Sequence, residues 1–211
     1  MAEDNTARKR RPQERAELTK KKLLQVAIKE FSERGFDAVT VRDIEVQAGV
    51  QRNLVSYHFG SKDDIWKAAA VHLLAELADF NDARRELMQD LSAHERVAYT
   101  IRSYVRFCAK HPEFNRLMIQ EGKQDSWRVR WLADNYIRPG MERLRKRVME
   151  DLDLKSKEFV HWYYLFVSGG AMLFAMAPEV DALFGVNLDD EEVINRHANM
   201  MVDFLLSRSA G

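Results

Sequence analysis

The chain opens with a polar, mostly charged stretch that passes into a regular alternation of apolar and polar positions. Four apolar side chains recur at spacings of three and four residues, and they are Leu24, Ala27, Ile28 and Phe31. This period places them on one face of a helix, and Gly35 follows as a C-cap. We therefore predict a helix from about Gln13 to Arg34, preceded by a flexible basic arm over residues 1–12.

Two short helices joined by a glycine are predicted next. Thr40 and Asp43 have the spacing of a capping box, which starts a helix that ends before Gly49. Glycine permits a left-handed turn there, so a second short helix from Gln51 to about His58 can cross the first at a steep angle.

A longer helix follows Gly60, because Ser61 and Asp64 form another capping box. Beyond residue 82 the pattern stays helical, with segments near 94–110, 113–122, 126–151, 155–177 and 189–207. The 211 residues include 4 prolines and 9 glycines, a composition that favours helices over sheets. We predict an all-α fold, with a three-helix helix-turn-helix domain over residues 13–60 and a helical domain over residues 61–211.

Charge is distributed unevenly although the formal net charge is zero. Residues 1–67 carry 14 Lys and Arg against 11 Asp and Glu, so the excess of positive charge lies at the N-terminal end. The basic residues at the start are Arg8, Lys9, Arg10, Arg11, Arg15, Lys20, Lys21 and Lys22. This segment either lies along nucleic-acid phosphates or is a solvated tail.

The sequence lacks the motifs of common enzyme and metal sites. The six histidines contain no pair spaced for a metal on one helix turn, and no phosphate-binding glycine loop or nucleophile elbow is present. The single cysteine, Cys108, is expected to be a small buried hydrophobe. We expect no enzyme activity, no cofactor and no metal. The longest uncharged run, Trp162–Ala177, is too short for a membrane span, and a cytoplasmic location is expected.

The second short helix has an unusually polar face. Leu54 and Val55 can point inward, while the side chains expected to point outward are Gln51, Arg52, Asn53, Ser56 and Tyr57. Arginine pairs with guanine, and asparagine or glutamine with adenine, through bidentate hydrogen bonds in the major groove. This pattern predicts a helix that contacts double-stranded DNA.

The segments TVRDIEVQAGV and YHFGSKDDI, which run from Thr40 to Ile65, resemble the TetR-type transcription regulators. The resemblance covers roughly residues 15–70. It implies a phosphate contact at Thr40, a phosphate or base contact at Arg42, and the chief base contacts at Arg52 and Asn53. By the same resemblance, Tyr57 and His58 contact the DNA backbone, and Lys62 is a phosphate clamp at a helix N-terminus.

Three positions depart from the family pattern. The family usually has serine where Gln51 stands, glycine or proline at Asn53, and tyrosine at Ser56. Gln51 is a poorer N-cap than serine, but its longer side chain can reach DNA. Other roles remain open, since His58 can instead cap or pack, and Tyr57 can partly fill the core.

The C-terminal half carries two apolar helices, near 155–177 and 189–207. A pair of such helices can meet its symmetric copy as a four-helix interface, and the resemblance also implies a homodimer. The candidate effector contacts are aromatic or apolar: Phe107, Met118, Trp127, Trp131, Trp162, Tyr163 and Phe166. Such residues line a pocket or simply form the core.

The expected function is a transcription regulator that acts as a repressor, with operator binding released by a small-molecule effector. Repression rests on the resemblance. The alternative is a helical ligand-binding or scaffold protein that has kept the fold but lost specific DNA binding. Selective, salt-dependent DNA affinity distinguishes the two.

Overall fold

The computed structural model describes residues 3–82, 88 and 90–207, and over these residues it contains helices and no strands. The helices are α1 (Glu3–Arg34), α2 (Val41–Gln47), α3 (Leu54–Phe59), α4 (Lys62–Asp82), α5 (Ala93–Lys110), α6 (Pro112–Gly122), α7 (Trp127–Leu132), α8 (Arg138–Leu152), α9 (Ser156–Ala175), α10 (Ala177–Phe184) and α11 (Glu191–Leu206). The all-α prediction is confirmed.

The chain divides after Leu73 into two compact units, and α4 contributes residues to both. The predicted functional division after residue 60 stays a prediction. In the first unit, the core includes the fully buried side chains of Leu23, Phe31, Ile44 and Val55.

The start of α1 corrects one prediction. The helix begins at Glu3, so it runs through most of the segment predicted as a flexible arm over 1–12; residues 1 and 2 lie outside the described residues. Residues 3–12 read EDNTARKRRP, in which the glutamate, alanine, lysine and arginines favour a helix and Asp4, Asn5, Thr6 and Pro12 do not. The flexibility predicted for this segment stays a prediction.

The second unit is built around α5, which packs against α6, α8, α9 and α11. The predicted segment 126–151 is continuous but changes geometry, because a π-helical turn at Ala133–Ile137 joins α7 to α8. Pro139 lies at the start of α8. Proline lacks an N–H and clashes with the carbonyl four residues earlier, and a wider turn accommodates it.

A helix that was not predicted, α10, follows α9. Pro178 occupies the first turn of α10, where its missing N–H costs no hydrogen bond. Within the described ranges, no single helix is long and apolar enough to cross a membrane; α9 and α10, bent by 70° at their junction, meet that test only as a pair.

Candidate DNA-binding face

Helix α2 starts at a capping box, as predicted. The Asp43 N–H donates to Thr40 Oγ1 at 3.1 Å, and the Thr40 N–H donates to Asp43 Oδ2 at 2.9 Å. Hydrogen bonds from the Thr40 backbone and hydroxyl hold the pKa of Asp43 below its ordinary value. The cap leaves Thr40 exposed at the surface of the first unit.

The turn between α2 and α3 contains two residues with positive φ. Gly49 has φ 59°, as predicted from its residue type, and Asn53 has φ 67°. Helix α3 therefore begins at Leu54, and the prediction that it begins at Gln51 is wrong. Asparagine tolerates the left-handed conformation better than most residues do, which explains how it can occupy this position.

The polar side chains of this segment do point outward. Gln51, Arg52, Asn53, Ser56 and Tyr57 are all exposed. Tyr57 is 77% exposed, so it does not fill the core. His58 is half-buried, and its ring lies edge-on to that of Tyr57 with centroids 4.9 Å apart.

Glu45 is a positioning residue that sequence reasoning missed. It is 3% exposed, and its Oε1 accepts a hydrogen bond from the Val55 N–H at 3.2 Å. The Asn53 side chain makes no cap hydrogen bond, so a carboxylate from α2 satisfies an N–H in the first turn of α3. A glutamate between Ile44 and Ala48, on the core side of α2, was the available sequence clue.

Arg42 and Lys62, the two cations that flank the exposed segment, each interact with a neighbouring side chain. Arg42 Nη1 lies 3.7 Å from the second carboxylate oxygen of Glu45. Lys62 Nζ lies 4.1 Å from the centroid of the Phe36 ring, a cation–π contact. Lys62 begins α4, whose N-cap Ser61 accepts a hydrogen bond from the Asp64 N–H at 3.1 Å, as predicted.

The candidate effector residues fall into separate groups in the second unit. Trp162 and Phe166 are buried and stack with centroids 5.3 Å apart. Phe107 is also buried, but it packs against Phe80, His111 and Phe114.

The other candidates are more accessible. Trp131 packs on Tyr136, Met118 and Tyr163 are half-buried, and Trp127 is exposed. Of the predicted effector contacts, Trp162 is the one that lines either of the two grooves described below.

The second unit also contains buried polar groups. Arg128 Nε donates to Glu121 Oε2 at 2.8 Å, and both side chains are almost fully buried. Burial raises the pKa of the Cys108 thiol to about 12, so the thiol stays protonated at neutral pH. Cys108 is buried, as predicted.

Helices α9 and α11 present an apolar surface. Two grooves of about 540 and 370 Å³ run along it and share Leu165, His161 and Phe204. Leu165 is 41% exposed and Phe204 54% exposed. The two helices approach closely, since His197 Nε2 hydrogen-bonds the Gly169 carbonyl oxygen at 2.8 Å.

The geometry of the first unit is that of the helix-turn-helix proteins. Comparison with known proteins indicates which family of helix-turn-helix proteins this domain resembles. Residues 23–69 match the family model of the bacterial regulatory proteins of the tetR family. The repressor NicS of Pseudomonas putida is 28% identical over 109 residues, 51% of this chain and 50% of that protein. The regulator BetI of Brucella canis is 37% identical over 84 residues, 40% of this chain and 41% of that protein.

Solved structures share the fold along most of the chain. A TetR-like transcriptional regulator from Rhodococcus sp. RHA1 has a TM-score of 0.67 at 16% identity, covering 92% of this chain and 96% of that one. FadR from Bacillus subtilis, in complex with stearoyl-CoA, has a TM-score of 0.63 at 14% identity, covering 88% and 97%. Over residues 23–69 the chain is therefore similar to the DNA-binding domain of the tetR family. The chain matches about half or less of the length of the curated relatives named above.

Proposed function

We propose that this protein is a DNA-binding transcription regulator, and specifically a repressor whose operator binding is released by a small-molecule effector. The observation that carries the proposal is the exposed polar surface of α3 and its leading turn, supported from behind by the Glu45 carboxylate. A turn with outward glutamine, arginine and asparagine side chains that leads into a fixed helix suits the major groove. This function places the protein with the chromosome in the cytoplasm.

The proposed DNA contacts comprise the base-contacting segment and its flanks: Thr40, Arg42, Gln51, Arg52, Asn53, Ser56, Tyr57, His58 and Lys62. Gln51 and Arg52 lie in the turn and Ser56 and Tyr57 on α3, so base contacts extend across the start of the helix. For the phosphate contacts, Arg42 and Lys62 would exchange Glu45 and Phe36 for DNA oxygens.

The proposed partner of the apolar surface on α9 and α11 is a second copy of the chain. Exposed apolar patches of this kind mark interaction sites, and a self-complementary patch closes as a two-fold dimer. Such a dimer presents two α3 helices to half-sites about 34 Å apart, or a multiple of it.

We propose that the effector is mostly apolar and binds in the second unit at one of the separate groups described above; the candidate contacts are Phe107, Met118, Trp127, Trp131, Trp162, Tyr163 and Phe166. The aromatic character of these groups supports an apolar ligand. A ligand that fits only the conformation with wrongly spaced α3 helices shifts the population away from the DNA-bound state.

The first experiment measures binding to labelled duplexes that tile the upstream intergenic region of the protein's own gene. Excess random DNA and near-physiological salt suppress non-specific binding. Selective nanomolar binding supports the proposal. Uniformly weak binding to these duplexes and to a genomic library favours a helical ligand-binding protein that no longer recognises DNA.

A further inference from the structure

The two grooves on α9 and α11 differ in the burial of their walls. The larger groove, of about 540 Å³, lies between side chains that are mostly exposed, among them Val160 and Tyr164. The smaller groove, of about 370 Å³, reaches three side chains that are almost fully buried, which are Leu152, Trp162 and Leu205. An exposed apolar face suits another protein, whereas a groove of this volume with buried walls suits a small molecule.

Trp162 carries a hydrogen-bond donor that has no acceptor. The residue is 6% exposed, and its Nε1 N–H donates to no group among the residues that the structure describes. A buried donor without an acceptor is unfavourable, and the great majority of such groups have a partner. A ligand with an acceptor atom in the smaller groove would supply that partner.

Neighbouring rings leave the edge of the Trp162 indole to face the smaller groove. Phe159 and Phe166, about one helical turn before and after Trp162, lie nearly parallel to it, at interplanar angles of 20° and 17°. Their ring centroids lie 6.2 and 5.3 Å from that of Trp162. Since these rings cover the two faces of the indole, Trp162 lines the groove with its edge, and Nε1 is an atom of that edge.

The other walls of the smaller groove define the rest of the ligand. Leu154, Leu165 and Phe204 add apolar surface to that of the buried leucines. Glu158 and His161 are its ionisable lining residues, both exposed, and no lysine or arginine is among the lining residues that the structure describes. Glu158 places a negative charge beside the groove, so an anionic group on the ligand would be repelled. A neutral, apolar body therefore fits these walls.

We propose that the smaller groove binds a neutral, mostly apolar compound whose carbonyl or hydroxyl oxygen accepts the Trp162 Nε1 hydrogen bond. The inference rests on the proposed function only in naming this compound as the effector. His161, Leu165 and Phe204 line both grooves, so the ligand packs against side chains that also belong to the proposed dimer surface. Occupation of the smaller groove therefore alters the surface that a second copy would contact.

The test uses two probes of similar size, benzophenone and diphenylmethane, with the full-length protein and without DNA. Both probes have two aromatic rings, which are joined by a carbonyl acceptor in benzophenone and by a methylene group in diphenylmethane. Titration calorimetry measures the affinity of each probe. Irradiated benzophenone forms covalent bonds with nearby C–H groups, so peptide mass spectrometry then locates the bound probe.

Three variants separate the contribution of the Trp162 donor from that of the groove. Trp162→Phe removes the donor and keeps an aromatic ring, and its matched control, Trp131→Phe, makes the same change in the separate group formed by Trp131 and Tyr136. Leu154→Trp fills the smaller groove from a half-buried position and leaves Trp162 unchanged. This third variant tests the site even if Trp162→Phe does not fold.

We expect the unmodified protein and Trp131→Phe to bind benzophenone about two- to tenfold more tightly than diphenylmethane, the range that one net hydrogen bond supplies. Trp162→Phe should bind the two probes equally, and Leu154→Trp should weaken the binding of both. Adducts should fall in peptides that contain residues 152–165 or 204–205.

Several results would overturn the proposal. They are equal affinities of the two probes for the unmodified protein, a preference for benzophenone that persists in Trp162→Phe, and benzophenone binding that Leu154→Trp does not weaken. Adducts confined to peptides outside the smaller groove, or no binding of benzophenone at all, would overturn it as well.

Failure of the wider proposal gives a different result. If no duplex is bound selectively, the proposed regulator function fails, while the expected pattern of probe binding still supports a ligand site in the smaller groove. Selective binding of an operator together with any of the contrary probe results rejects the ligand site and leaves the regulator function standing.

Discussion

Tyr57 and Val55 show that neighbouring residues of α3 have different surroundings: one side chain faces solvent and the other faces the core. The Tyr57 ring is 77% exposed although tyrosine is usually at least partly buried, whereas Val55, two residues earlier, is fully buried. Residues that face outward here are available for DNA, and their neighbours that face inward hold the helix in place. Substitutions at the two kinds of position should therefore have different effects.

Arg52 and Lys62 should differ in what they contribute to DNA binding. Arg52→Ala should cost about 1–3 kcal/mol on the preferred operator and relax the preference at one base pair in each half-site. Lys62→Ala should weaken all sequences alike and lower the salt slope by about 1. Competition binding against single-base operator variants measures both effects, and equal loss of selectivity in the two variants would contradict the roles proposed.

Asp43 should make the stability of the first unit depend on pH through Thr40. Its pKa is lowered from 3.8 by hydrogen bonds from Thr40, so the folded state favours the ionised carboxylate. This stabilisation is present above the unfolded-state pKa and is lost as pH falls through the lower folded-state pKa. The difference in unfolding free energy between the unmodified protein and Thr40→Ala should shrink below about pH 4.

Urea unfolding at pH values from neutral to 3 measures that difference. Thr40→Ser keeps the hydroxyl and serves as the control, so its pH dependence should match that of the unmodified protein. A difference for Thr40→Ala that stays constant across the range would show that the capping carboxylate does not titrate differently in the folded state.

At the scale of elements, a single buried carboxylate joins α2 to the first turn of α3. Glu45 accepts from the Val55 N–H, and the adjacent Val50 N–H donates to the Glu45 carbonyl oxygen at 3.0 Å. One residue therefore fixes both the turn and the start of α3. In α9, the close packing of neighbouring helices likewise depends on particular residues, the adjacent glycines Gly169 and Gly170.

Glu45→Ala should leave the Val55 N–H buried without an acceptor. We expect a loss of about 1–3 kcal/mol in unfolding free energy, together with a loss of operator selectivity that exceeds the loss of random-DNA affinity. Glu45→Gln keeps an acceptor oxygen and should restore most of the selectivity. Loss of stability with unchanged selectivity would mean that Glu45 supports the core and does not orient α3.

Adjacent glycines in α9 should respond differently to the same substitution. A Cβ at Gly170 would lie 2.8 Å from Cδ1 of Tyr104, a ring packed against Phe166, while a Cβ at Gly169 would lie 2.6 Å from Cε of Met201. Methionine can adopt another rotamer, but the tyrosine ring has little room. Gly170→Ala should cost about 1–3 kcal/mol of unfolding free energy, and Gly169→Ala less; the reverse order in urea unfolding would contradict this packing.

On the scale of the whole molecule, the proposed regulator requires two copies joined through α9 and α11. Phe204 lines both grooves on that surface and is 54% exposed, so its burial in a dimer would remove apolar area from water. A charge at this position would have to be buried without a partner. The oligomeric state and DNA affinity are therefore expected to change together.

Phe204→Glu should convert dimer to monomer and abolish tight binding to a two-half-site operator, while a single half-site should bind about as weakly as before. Sedimentation measures the mass of the protein in solution, and affinity is then measured for the two-half-site operator and for the single half-site. Leu183→Glu is the matched control, because Leu183 on α10 is 67% exposed and lines neither groove. A dimer that survives Phe204→Glu and fails with Leu183→Glu would place the interface on α10.

The sequence by itself determined the features that depend on neighbouring residues. The capping boxes at Thr40 and Ser61 and the left-handed Gly49 were predictable because each involves residues at most four apart. The outward direction of Ser56 and Tyr57 was predictable for the same reason, since the apolar Val55 beside them marks the inward side of the short helix.

Only the tertiary structure decided features that join distant residues. It placed Leu23 in the core and left Leu24 partly exposed, gave Asn53 the positive φ that delays α3, and brought Glu45 to the Val55 N–H. It also separated Phe107 from the Trp162 stack. The physical reason is that a helical period defines a face only to within a residue, whereas packing against another helix selects which side chain fills the available space.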